Sequence, residues 1–290
     1  MWISLSLCCL AATPISPPPI SSAVGEVSGD AARAESASFR VVSYARGHDA
    51  REAARTCERW RERLTRYWCD QDKTTAWTPK CDLVIHAGKQ GYLAVVGPGG
   101  GPTYGSSLLD FGKEKQVSKR RIDIRGDSPL GMAALPHEMT HVIMADLLDG
   151  RQPPRWADEG MAMLADTKEK QLLHERDLTQ GLASGRAFRL AELLGLDAYP
   201  HASRVPAFYG QSVSVTAFLA LRDDPAKFVE FLRRSEEHGH DLALRKVYAI
   251  DGVSELERLW RDGRNASRTG YHGVRLSLDE AVIERASGAE

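Results

Sequence analysis

The chain has no excess of charge of either sign. Lysine and arginine total 38 against 39 acidic residues, a net charge of -1. A nucleic-acid partner held by phosphate attraction is therefore not expected. No basic amphipathic segment points to a membrane surface. No apolar run is long enough to span a bilayer comfortably, so stable membrane insertion is not expected. No internal repeat is visible.

Cysteine is scarce. The Cys8–Cys9 pair lacks the small-residue context of a lipid-anchoring site, and only Cys57, Cys69 and Cys81 follow it. An odd count cannot pair completely, and a spacing of twelve is wrong for a zinc knuckle. In an exported chain Cys57 and Cys81 can tie the first helix to the following strand and leave Cys69 free. Three reduced, partly buried thiols are the other reading. Positive charge is missing from the N-terminal end. The apolar run "WISLSLCCLAA" (2–12) carries no Lys or Arg, and the first charged side chain is Glu26. Small residues at Ser21 and Ala23 make 1–23 read as a secretory signal peptide, which places the mature protein outside the cytoplasm, secreted or periplasmic. A disordered tail is the alternative.

What is present is an ordinary globular composition, 42% apolar, in a chain long enough for a sizeable core. Residues 24–36 are small and polar and read as a linker. "FRVVSYA" (39–45) and "CDLVIH" (81–86) have strand composition. Between them Ala53, Cys57, Trp60, Leu64 and Tyr67 form a helical stripe. "GPGGGPTYGSS" (97–107) reads as a flexible loop. "RRIDIRGD" (120–127) alternates, with Ile122 and Ile124 opposite Arg121, Asp123 and Arg125, as a half-exposed edge strand does. From 128 to 262 nearly everything reads as helix, with breaks at Gly150–Pro154, Gly181–Gly185, Tyr199–Pro206 and His238–His240. The expected fold is one α+β domain over 37–262. A small mixed α/β lobe with an edge strand (37–127) precedes a mostly helical lobe (128–262), and 263–290 form a tail in which "LSLDEAVIERA" can be helical.

"LPHEMTHVIMAD" (135–146) carries the chemistry. Helical residues four apart lie one turn apart on nearly the same face, so His137 and His141 can aim ring nitrogens at one point. Glu138 stands beside them, placed to take a proton from a metal-activated water. This is the H-E-x-x-H pattern of zinc peptidases. Two surface histidines on an amphipathic helix would give the same letters. The apolar Val142, Ile143, Leu147 and Leu148 argue instead for a buried helix, whose polar groups need partners. Pro136 leaves two choices: a helix beginning there, or one from Pro129 disturbed at that point.

A peptidase zinc takes three protein ligands and keeps one position open. The metzincin extension needs glycine at 144 and histidine at 147, where this chain has Met144 and Leu147. A glutamate on a second helix is the alternative, and "PPRWADEGMAMLAD" (153–166) offers Glu159, with seventeen residues between it and His141. Asp158 is the competing ligand; otherwise it reads as a helix-start charge.

"HEMTH" followed by "PRWADEGMA" resembles the gluzincin clan of metallopeptidases, and within it the peptidase MA-like proteins, which pair H-E-x-x-H with W-x-x-E-G-x-A. The resemblance implies a zincin-like fold, one zinc ion on His137, His141 and Glu159, Glu138 as general base, and a peptide or protein substrate. "FYGQSVSVTAFL" (208–219) resembles the Y-x-Q-S helix of such proteins and makes Tyr209 a candidate donor to the oxyanion; a core tyrosine is the competing reading. Asp166 and Asp146 can each orient a ligand histidine or sit in solvent. Trp156 reads as packing. His174, His201, His238 and His240 lack ligand spacing and read as surface or structural. The strand around Ile122–Ile124 is a place to hold an extended peptide by backbone pairing. The alternative to a peptidase is a catalytically inactive, zinc-stabilised binding protein.

Overall fold

The computed structural model describes residues 2–4, 31–69 and 75–266. The signal peptide reading (apart from 2–4) and the tail beyond 266 lie outside the described residues. Trp2–Ser4 (β1), Ala32–Glu35 (β2) and Phe39–Ser43 (β3) precede a long helix, Ala50–Cys69 (α1). Cys81–His86 (β4), Lys89–Val96 (α2), Gly105–Phe111 (β5) and Val117–Arg125 (β6) complete the α/β part. The helices Pro129–Leu147 (α3), Arg155–Leu164 (α4), Lys168–Ala183 (α5) and Leu190–Leu194 (α6) follow. Val205–Ala220 (α7), Pro225–His238 (α8), His240–Tyr248 (α9) and Gly252–Ala266 (α10) end the described chain. The fold is thus mixed, with a sheet first and helices after it. Among the described residues no helix is long and apolar enough to cross a membrane.

The sheet order is β1-β5-β6-β4-β3-β2. β3 with β4 and β4 with β6 are parallel, while β5 runs antiparallel to β6 and β2 to β3. Period-two alternation gives the sheet an apolar face: Phe39, Val41, Leu83, Ile85, Ile122 and Ile124 are all buried. α1 and α3 cover that face.

Three features of the sequence reading change here. The strand at 120–127 is not an edge: β6 lies between β4 and β5. Its alternation reflects two covered faces rather than one wet face. Asp123, on the far side from Ile122 and Ile124, is buried because Arg121 donates to both its oxygens (2.7 and 2.8 Å) and His86 Nε2 lies 2.7 Å from Oδ1. On that side β6 is followed by β5, inside and beyond the stretch read as a loop, and among the described residues the three-residue β1 is the outermost strand, paired with Ser107–Leu109. The presumed linker contains β2, whose Glu35 meets Lys80 at 3.0 Å. Cys57, Cys69 and Cys81 are free thiols; burial pushes all three up, so none is a poised thiolate.

Burial alone would raise the Asp123 carboxyl, but the Arg121 hydrogen bonds and His86 outweigh it and hold it below the ordinary value. Its contribution is therefore complete above an unfolded carboxyl pKa of about 4 and is lost as pH falls through the lower folded value. Asp123→Asn is expected to destabilise the fold by roughly 3 kcal/mol at pH 7, because it leaves the Arg121 guanidinium without the carboxylate it pairs with. The gap to wild type should narrow below about pH 4. Urea unfolding at several pH values checks this; a gap independent of pH contradicts it.

Candidate metal centre

α3 begins at Ser128, whose hydroxyl accepts from the Leu130 N–H (3.2 Å), with Pro129 at the first helical position. It runs unbroken through Pro136, which cannot donate to the turn before it. Thr140 Oγ1 donates to the Pro136 carbonyl at 2.9 Å. Every residue from Ala134 to Ala145 is buried. A helix with apolar residues all round belongs inside a protein, and this one carries two histidines and a glutamate in with it. Close approach to the sheet needs glycine twice. A Cβ on Gly131 would stand 1.8 Å from the Arg125 carbonyl oxygen, and one on Gly105 would stand 2.8 Å from Glu138 Cγ. The start of β5 therefore lies directly against the Glu138 side chain.

α4 supplies the third group. Glu159 is fully buried. The glycine after it has a packing reason: a Cβ at 160 would meet Thr216 Oγ1 at 2.1 Å and the Ser212 carbonyl oxygen at 2.8 Å on α7. Gln211 of α7 is also structural, exchanging two 2.8 Å hydrogen bonds with the backbone of Phe188.

The three expected ligands converge. One nitrogen of each histidine and one Glu159 oxygen all lie within 4.8 Å of one another. The two Nε2 atoms are 3.3 Å apart. A tetrahedral ion with Zn–N bonds of about 2.0–2.1 Å sets two ligand nitrogens at about that same separation. Both Nδ1 atoms face carboxylates: His141 Nδ1 is 2.6 Å from Asp158 Oδ1, and His137 Nδ1 is 3.3 Å from Asp166 Oδ1. Proton donation from His141 Nδ1 to Asp158 leaves its Nε2 as a lone pair facing His137 Nε2, an arrangement that a cation between the two would satisfy. Glu159 Oε2 is buried and accepts no hydrogen bond among the described residues, and Glu138 Oε2 likewise. The donor set of two imidazoles and a carboxylate suits zinc.

Charge in the pocket reinforces this. Burial opposes the charged form of His141, but Asp158, then Glu159 and Glu138, push the imidazole up to about 10. The site draws in positive charge at this position. Burial raises Glu159, opposed by His141 and His137. Burial would raise Asp166 too, but His137, Lys170 and His174 hold it well below the carboxylate range.

Several roles differ from the sequence expectation. Asp158 is not merely a helix-start charge; it fixes His141. Asp166 fixes His137, one of the two possibilities open for it. Asp146 serves neither histidine: it accepts from Arg120 Nη2 at 2.5 Å and from the Trp77 indole. His174, read as surface or structural, stands 3.7 Å from Asp166 and is mostly buried. His201 caps a short turn, His238 is exposed, and His240 packs near Phe231. Trp156 is buried against Phe228. Tyr209 is buried, its ring 6.2 Å from those of His174 and Tyr199. The residue that sequence reasoning missed is Tyr199, whose hydroxyl donates to Glu159 Oε1. It sits between helices, in a break without periodicity, so no pattern marks it.

Comparison with protein-family models, curated proteins and solved structures finds no match to this chain.

Asp158→Asn, Asp166→Asn and Tyr199→Phe are each expected to lower zinc affinity about 10- to 100-fold while the fold persists. Chelator competition followed alongside circular dichroism measures both. Unchanged affinity in all three variants contradicts the assignment.

Proposed function

We propose that the protein is a zinc-dependent metallopeptidase with a zincin-like, gluzincin-type site. The observation that supports it is the convergence of His137, His141 and Glu159 with Glu138 alongside, its Oε2 buried and accepting no hydrogen bond. A zinc ion held there would polarise the scissile carbonyl and lower the pKa of its water to about 7.

The chain's own groups do the rest. Glu138 takes the proton released by the attacking water and passes it to the leaving amine. Asp158 and Asp166 keep both imidazoles in one tautomer and orientation. Tyr199 holds one oxygen of Glu159, which leaves the other for the metal. Tyr209, beside Tyr199, remains the candidate phenol to donate to the tetrahedral oxyanion. The substrate is a peptide or protein chain in extended form. Its backbone is held not by the Ile122–Ile124 strand, which is interior, but along β5, in the place where Trp2–Ser4 pair antiparallel with it. Gly105 brings that strand up to Glu138.

Glu138→Gln keeps the size of the side chain and removes the base. Zinc content is expected to stay stoichiometric, while cleavage of a peptide library falls by at least about 100-fold, the range of general-base loss. Equal turnover by the variant contradicts the assigned base. Cleavage by neither protein, with zinc bound to both, favours the inactive binding protein.

A further inference from the structure

A cleft runs between β2 and the N-terminal half of α1. Arg33 and Glu35 line it from the strand, and Arg51, Arg55, Glu58 and Arg59 from the helix. Ala34 and Ala54 are the apolar part of its lining. It shares no residue with the metal centre.

Positive charge is in excess there, and the nearby acids are already engaged. Glu35 meets Lys80 at 3.0 Å, and Glu58 accepts from the Ser38 N–H at 2.6 Å. Arg55 and Arg59 share one carboxylate, Glu52, at 2.6 and 3.0 Å. The side chains of Arg33 and Arg51 are exposed and make no hydrogen bond or ion pair among the described residues. Arg51 also stands in the first turn of α1, where the helix dipole disfavours a cation and favours an anion. No contact among the described residues accounts for these two guanidiniums.

The strand beside them has an open edge. Among the described residues β2 is the outermost strand on its side of the sheet. The Ser36 N–H donates to the Phe39 carbonyl at 3.0 Å, which makes Ser36 and Phe39 a hydrogen-bonded pair. Pairs in an antiparallel ladder alternate, so Ala32 and Ala34 bond to β3, while Arg33 and Glu35 turn their N–H and C=O groups outward. An edge of this kind can take another extended chain as a further strand. The charge spacing fits the same guest. Arg51, Arg55 and Arg59 recur every four residues, about 6 Å apart along the helix axis. Alternate side chains of an extended chain recur about every 6.6–6.8 Å.

We infer that β2 and the arginine-bearing face of α1 form a docking site for an acidic, extended segment of a partner protein, which adds a strand to the sheet. Guanidiniums alone would accept any anion; the outward N–H and C=O groups are what call for a peptide backbone. Carboxylates at alternate positions of that segment reach Arg33 and Arg51, the two guanidiniums with no partner of their own. The site stands whether or not the metal centre hydrolyses peptides.

Titration of the full chain with a short labelled peptide that alternates glutamate and valine tests this. That peptide is expected to bind at least about tenfold tighter than its glutamine–valine counterpart, and more weakly as salt rises. N-methylation of alternate backbone nitrogens removes strand donors and keeps every carboxylate; it should weaken binding by about tenfold. Arg33→Gln combined with Arg51→Gln should abolish the preference for glutamate, with circular dichroism as the check on folding. The comparison among peptides needs no variant, so it stands even if that protein fails to fold. Chelator-treated protein should bind the peptide as untreated protein does. Equal affinity for the glutamate and glutamine peptides overturns the site. Unchanged affinity after N-methylation, or displacement by equimolar inorganic phosphate, reduces it to an anion site and overturns strand docking. A glutamate preference that survives both arginine substitutions puts the peptide elsewhere and overturns it. Absence of binding also overturns it, and leaves the arginines as charges that guard an open edge against pairing with another sheet.

Discussion

Two imidazole nitrogens, 3.3 Å apart on the buried middle of a helix, set the terms for the rest of the molecule. Each ring has a carboxylate behind it. That arrangement fixes which nitrogen holds the proton and turns the bare nitrogens toward each other. A buried arrangement of this kind needs compensating positive charge. Against burial, Asp158, Glu159 and Glu138 raise the His141 imidazole, so the surrounding carboxylates favour positive charge at this position. A divalent ion meets that demand, because Glu159 then engages as well, through an oxygen that accepts no hydrogen bond among the described residues.

Holding that geometry is a packing problem, and small residues solve it. Gly131 lets α3 approach the end of β6, and Gly105 lets β5 approach Glu138. Gly160 lets α4 cross α7 at close range, which fixes the helix that carries Glu159. Below them the sheet is anchored by a buried Asp123 with two partners and by Asp146, which ties α3 to β6 through Arg120. The groups that position the ligands thus extend from the far face of the sheet to α7. Precision at the site depends on rigid elements of both halves.

Much of this was legible in the sequence where a local pattern carried the information. The i, i+4 histidines state their own geometry, and Glu159 follows at a distance that one turn between helices can bridge. β3, α1 and β4 declare themselves by hydrophobic period. The edge-strand misreading has a plain cause, which is that alternation reports two different faces but not what covers them. Asp123 alternates with Ile122 and Ile124 as a wet residue would, yet His86 and Arg121 bury it. β5 was hidden because Gly105 and two serines at its start resemble a loop, and that glycine is there for Glu138. Asp158 and Tyr199 could not be assigned from spacing. Their roles come from contacts with His141, seventeen residues away, and Glu159, forty residues away.

X-ray absorption at the zinc edge of the purified protein tests the central claim most directly. The expected result is one zinc per chain, ligated by two imidazole nitrogens and carboxylate oxygen at about 2.0–2.2 Å. The imidazole signal should vanish in a His137→Ala, His141→Ala protein. Protein without stoichiometric metal, or a shell containing cysteine sulfur at about 2.3 Å, contradicts it.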